Sequence, residues 1–167
     1  MNKTIISITI GILILGGLIW MARPDGENPS SVLTASSGTL AVEETSNYDF
    51  GSISMAAGKV SRRFTIKNTG SEAVVINKMY TSCMCTTATL ITTDGQFGPV
   101  GMPGHGAIPS INLTIDPNEE AVVDVVFDPA AHGPAGVGRI QRVVTLENNA
   151  GAPVELQFAA TVTPQRK

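Results

Sequence analysis

The chain opens on residues 4–22, a run without a charged residue and dominated by Ile, Leu, Gly, Trp and Met. It has no polar face, so it does not read as an amphipathic helix lying on a soluble core. At about 1.5 Å per residue a helix of this length reaches roughly 28 Å, close to the ~30 Å hydrocarbon layer of a bilayer. The pattern predicts a single-pass transmembrane anchor over 1–22. Beyond it the alternation takes on a period of two. Phe64 and Ile66 alternate with Arg63, Thr65 and Lys67, and Leu156, Phe158, Ala160 and Val162 alternate with Glu155, Gln157, Ala159 and Thr161. Alternation of this kind marks half-buried strands. Further strand-like runs cover 40–43, 73–78, 86–92, 111–115, 121–127 and 140–147. Turn signals separate them: Asn68-Thr69-Gly70, Asp94-Gly95, Asp116-Pro117-Asn118, Asp128-Pro129 and Asn148-Asn149-Ala150-Gly151. No amphipathic helix of useful length follows Ala22. Many short strands in one domain-sized stretch, 41–167, predict an all-β sandwich, with a closed barrel as the structural alternative.

Residues 23–40 are rich in Ser, Gly and Pro, a composition that buries too little apolar surface to fold, and they read as a flexible linker. Lys3 and Arg23 flank the apolar run and Trp20 stands near its outer end. An uncleaved anchor fits better than a cleaved signal peptide, because Trp20 is a poor residue three positions before a cut after Ala22. A three-residue head followed by a long domain is expected to keep the head inside, which would face the domain toward the periplasm or the cell exterior. The net charge is −3 and no basic run occurs, which argues against a nucleic-acid partner. The expected partners are therefore the membrane, through the helix, and a protein ligand on the domain. Aromatics form only 5% of the chain, so the core is expected to be mainly Val, Ile, Leu and Ala.

Three segments in order carry a resemblance: Tyr48-Asp49-Phe50-Gly51-Ser52-Ile53, then Phe64-Thr65-Ile66-Lys67-Asn68-Thr69-Gly70, then Thr81-Ser82-Cys83-Met84-Cys85-Thr86-Thr87. Phe127-Asp128-Pro129 and Gly138-Arg139 extend the pattern. The sequence resembles a bacterial immunoglobulin-like domain family of unknown function, related to the Hydin-type (ASH) and major-sperm-protein-like domains. The resemblance covers roughly 42–146 and implies an immunoglobulin-like β-sandwich with an export pattern, but no reaction. Two departures stand out: Met84 occupies a position that is usually Gly, and the following connection, 95–109, is expanded with five glycines and three prolines. Asn68-Thr69-Gly70 reads as a tight hairpin.

Cys83 and Cys85 are the only cysteines. On a strand, positions i and i+2 share a face, so the two thiols are expected to converge. Three readings stay open: small buried hydrophobes, a disulfide that needs a local bend, and a soft-metal site. In the last, Met102 and His105 of the expanded loop would close over Cys83 and Cys85 to bind a copper ion. Met84 is expected on the opposite face. His132, in a second Gly/Pro-rich loop over 129–138, reads as a solvated loop histidine. No nucleophile elbow, His-Glu-x-x-His or phosphate loop occurs, so the leading expectation is a non-enzymatic binding or structural module, with a copper-binding or thiol-redox protein as the rival.

Overall fold

The computed structural model describes residues 38–165. The predicted anchor and nearly all of the predicted linker lie outside them. Among the described residues no helix is long and apolar enough to cross a membrane.

Ten strands form two five-stranded sheets. In chain order they are β1 (Leu40–Val42), β2 (Asn47–Ser54), β3 (Val60–Asn68), β4 (Val74–Thr81), β5 (Thr86–Thr92), β6 (Gly95–Val100), β7 (Leu113–Ile115), β8 (Glu120–Phe127), β9 (Gly138–Asn148) and β10 (Val154–Thr163). One sheet has the order β1-β3-β8-β5-β6 and the other β2-β10-β9-β4-β7. The pairings are antiparallel except β2 with β10, which is parallel. This is a sandwich, as expected, and not a closed barrel.

The two-residue alternation decides which atoms enter the core. Along β10, Leu156, Phe158, Ala160 and Val162 are buried while their neighbours are half-exposed. Phe64 and Ile66 do the same on β3, and Val123, Val125 and Phe127 on β8. Most of the core is aliphatic, as the composition predicts. Four of the rings form one contiguous chain: Tyr48 on Phe50, Phe50 on Phe158, and Phe158 on Phe127, with centroids 4.9, 5.5 and 5.4 Å apart. That chain welds edge strand β2 to both sheets.

Two expectations need correction. Residues 95–109 are not wholly loop, since the first six form edge strand β6 against β5. Gly98 makes this pairing possible: it sits at φ +119°, and a Cβ there would lie 2.7 Å from the Ala88 carbonyl oxygen. Asn68-Thr69-Gly70 is not a hairpin, because β3 and β4 belong to opposite sheets. Asn68 keeps a negative φ and uses its side chain instead. Fully buried, it donates through Nδ2 to the Glu72 and Ile115 carbonyls at 2.8 and 2.9 Å. Its Oδ1 accepts from Gly70 N–H at 3.0 Å and from Thr39 N–H at 3.4 Å. Its amide thus ties β3, the crossing segment, β7 and the approach to β1 at one point.

A second polar anchor holds the turn at 116–119. Glu119 accepts from the Thr93 hydroxyl at 2.6 Å and from Asp116 N–H at 2.8 Å, joining the β5–β6 hairpin to the β7–β8 turn. These two bonds, the Thr93 one first, hold its carboxyl below the ordinary value. Asn118 in the same turn adopts φ 65°, a conformation that Asn tolerates.

Replacing Asn68 with Ala would leave the buried Ile115 carbonyl, the part-buried Glu72 carbonyl and two N–H groups without their partner. The expected cost is about 3 kcal/mol of unfolding free energy, measured by guanidinium denaturation; an unchanged midpoint would refute the role assigned to it. Glu119 holds its proton less tightly in the folded than in the unfolded chain. Its contribution is therefore present above the ordinary glutamate range and is lost as pH falls through the lowered folded value. Glu119→Gln is expected to melt below the parent at neutral pH, with the gap closing as pH falls below the ordinary glutamate range; thermal melts across an acid titration measure it.

Candidate functional site

The connection from β4 to β5 passes from one sheet to the other over residues 82–85. Cys83 and Cys85 therefore sit in a turn, not on a strand. Fully buried Thr81 shapes this turn: its hydroxyl lies 2.9 Å from the Cys83 carbonyl oxygen and 3.1 Å from that of Thr86. Thr86 N–H closes onto the Cys83 carbonyl at 3.1 Å. Ser82 locks the turn to β9 from both sides, its N–H donating to the Val143 carbonyl and its hydroxyl accepting from Val143 N–H. The bend brings the two Cα atoms to 5.3 Å, within the range a bridge requires, and Cys83 and Cys85 are joined as a disulfide. Both residues are buried, while Met84 between them is 50% exposed and points away.

The third member of the corner is His132. Asp128 starts the β8–β9 loop: its N–H donates to the Cys85 carbonyl at 2.9 Å, and its carboxylate accepts from Ala130 N–H at 2.9 Å. A short 3-10 turn at Gly133–Gly136 follows. Gly136 packs so closely that a Cβ there would come within 3.1 Å of the His132 Cβ. The result sets His132 Nε2 3.1 Å from Cys83 Sγ. On the other side, half-buried Arg142 of β9 directs Nε at Cys85 Sγ at 3.3 Å and donates from Nη1 to the Gln141 carbonyl at 2.8 Å. A recess of about 100 Å³, lined by Lys59, Met84, Thr87, Asp128 and Ala131, opens onto Cys85.

The ligating atoms of Cys83, Cys85 and His132 lie within 4.8 Å of one another, and His105 is not in that group. The expanded loop does return beside β4, where Thr81 N–H donates to the Gly101 carbonyl and Ile111 N–H to that of Asn77. There it runs along the strand. Met102 is half-buried and its carbonyl accepts from the exposed His105 N–H at 3.3 Å, in a turn of that loop. The expectation that His105 completes the cysteine group is thus corrected, as is the reading of His132 as a merely solvated histidine. His132 is exposed, yet its ring is engaged. Sequence separation hid it, since it stands 49 positions after Cys83. The only local signals were the Asp128-Pro129 turn and the flanking glycines. Arg142, too, was unmarked, being one polar position in an alternating strand.

Two five-stranded sheets joined by repeated crossings fit an immunoglobulin-like β-sandwich. In agreement with the resemblance read from the sequence, the model of a family described as protein of unknown function (DUF1573) matches residues 40–99. A search of curated proteins finds no match. Among solved structures, a protein of unknown function from Porphyromonas gingivalis W83 is similar at a TM-score of 0.55 and 14% identity, over 81% of this chain and 51% of that one. The chain thus spans about half the length of that structure, and at this identity the likeness concerns the fold alone. The ASH / PapD-like domain 7 of human CEP192 aligns at a TM-score of 0.45 and 12% identity, over 79% of this chain and 89% of that one.

A guanidinium beside one sulfur stabilises the thiolate that reduction would create there. Arg142→Met is therefore expected to make the bridge harder to reduce. A charge-assisted hydrogen bond of about 1.5–3 kcal/mol corresponds to a potential roughly 30–60 mV more negative. Equilibration of the protein in graded thiol–disulfide buffers measures this.

Proposed function

We propose that the chain is a membrane-anchored binding module that holds a non-catalytic β-sandwich outside the cytoplasm. The observation that carries this reading is the Cys83–Cys85 bridge, because disulfides persist in oxidising compartments and are rare in the cytosol. The uncharged run at 4–22 and the Ser/Gly/Pro-rich stretch after it supply an anchor and a spacer for such a placement. The surface for binding is the end of the sandwich where the 82–85 turn, the β8–β9 loop and β9 converge. There His132 and Arg142 flank the sulfurs, and a small recess lined by Lys59, Met84, Thr87 and Asp128 opens beside Cys85. Loops on a rigid scaffold commonly carry recognition.

Two measurements on the full chain test the placement. An alkaline phosphatase fused after Lys167 is expected to be active and to remain with the membrane fraction. In acid-quenched cells, Cys83 and Cys85 are expected to resist alkylation until a reductant is added. A silent fusion together with two freely alkylated thiols would put the domain in the cytoplasm and overturn the reading.

A further inference from the structure

We infer that Cys83, Cys85 and His132 form a redox-gated site for one monovalent copper ion, open when the bridge is reduced and closed when it is oxidised. The inference rests on the binding-module reading and assigns a ligand to the cysteine corner at that end of the sandwich.

The geometry supplies three donors and an approach. Ligand atoms about 2.0–2.3 Å from a shared ion can lie at most about 4.6 Å apart. The three donor atoms here are grouped within 4.8 Å, so small side-chain rotations complete the set. The recess beside Met84 reaches Cys85, and exposed His132 borders Cys83 from the solvent side, so the donors are open to an ion. The backbone of the turn is independently held by Thr81 and Ser82, so breaking the S–S bond leaves its frame in place.

The chemistry of the donors selects the ion. Two thiolates and one imidazole are a soft, three-donor set that completes the shell of monovalent copper, whereas zinc on the same donors needs a fourth ligand such as water. Charge points the same way. Two thiolates around a monovalent ion leave one negative charge, which the Arg142 guanidinium 3.3 Å from Cys85 Sγ neutralises. A divalent ion would neutralise the thiolates itself and leave Arg142 facing a neutral centre. Lys59 and Asp128 at the recess are of opposite sign and offset one another.

The step balances with a dithiol as co-reactant. The dithiol delivers two electrons and two protons to the Cys83–Cys85 bond and becomes a disulfide, leaving two thiols. Binding of the copper ion then releases those two protons to solvent. An oxidised chain has no free thiolate to offer, so bridge and metal exclude each other.

The test uses the full chain in detergent, kept anaerobic, titrated with Cu(I) against a chromogenic chelator before and after reduction. The reduced chain is expected to take one equivalent, with an ultraviolet sulfur-to-copper charge-transfer band, and the oxidised chain none. His132→Ala alters an exposed residue and leaves both thiols. It is expected to weaken Cu(I) binding by at least about tenfold and to remove the nitrogen scatterer from the X-ray absorption spectrum. His105→Ala is expected to bind as the parent does. Equal uptake by the oxidised and reduced chains would overturn the inference, and so would an unchanged affinity in His132→Ala or tighter retention of Zn(II) than of Cu(I). The phosphatase fusion reads placement without copper, so failure here stays distinguishable from failure of the binding-module reading.

Discussion

Carrying a polar backbone from one sheet to the other at the ends of an apolar core is the constraint on which this sandwich depends. Only β5–β6 and β9–β10 are joined within one sheet; every other connection changes sheets. Each crossing leaves N–H and C=O groups outside any ladder, and a buried group without a partner costs about 1–3 kcal/mol. Asn68 and Thr81 meet that constraint with side chains fully removed from solvent. Asn68 is suited to it because one amide has two donors and an acceptor, enough for carbonyls on one side and N–H groups on the other. Thr81 does the same on a smaller scale for the turn that carries the cysteines.

The same constraint makes the cysteine corner rigid independently of any sulfur chemistry. Its turn is fastened to β9 through Ser82 and to the β8–β9 loop through the Asp128 N–H and the Cys85 carbonyl. Cys83 and Cys85 therefore meet His132 and Arg142 because two crossings emerge at one end of the sandwich. Edge strand β2 is held by the ring contacts of Phe50 and Tyr48, with Arg62 stacked 4.7 Å over the Tyr48 ring, and by the ion pair of Asp49 with Arg139 of β9.

The strands were legible because half-burial writes a period of two into the chain. Leu156, Phe158, Ala160 and Val162 name the buried face of β10 by their spacing alone. β6 was not legible. It lies on an edge, only Val100 is buried along it, and its Gly98 is there to clear a carbonyl rather than to break a strand. Turns were legible as turns but not as connections. Asn68-Thr69-Gly70 has the composition of a hairpin, and only the burial of Asn68 turns it into a clip between sheets. The cysteines were visible as a pair by their spacing. His132 and Arg142 were not, since their contacts to the sulfurs span 49 and 57 residues and arise from topology.

Placing a cation at one sulfur and an imidazole at the other has a consequence for how the corner responds to its surroundings. Neither contact adds much to the disulfide, whose sulfurs are neutral and accept hydrogen bonds weakly. Both gain strength when the sulfurs become thiolates, because a bond to an ion is roughly twice as strong as a neutral one. The surroundings thus favour the reduced form over the oxidised one relative to a bridge in an apolar core. They do so through groups borne on β9 and the β8–β9 loop, not on the cysteine turn itself. A purely structural staple gains nothing from such neighbours. Around a pair of sulfurs meant to exist in two states, they set the balance between a closed bridge and an open pair of donors.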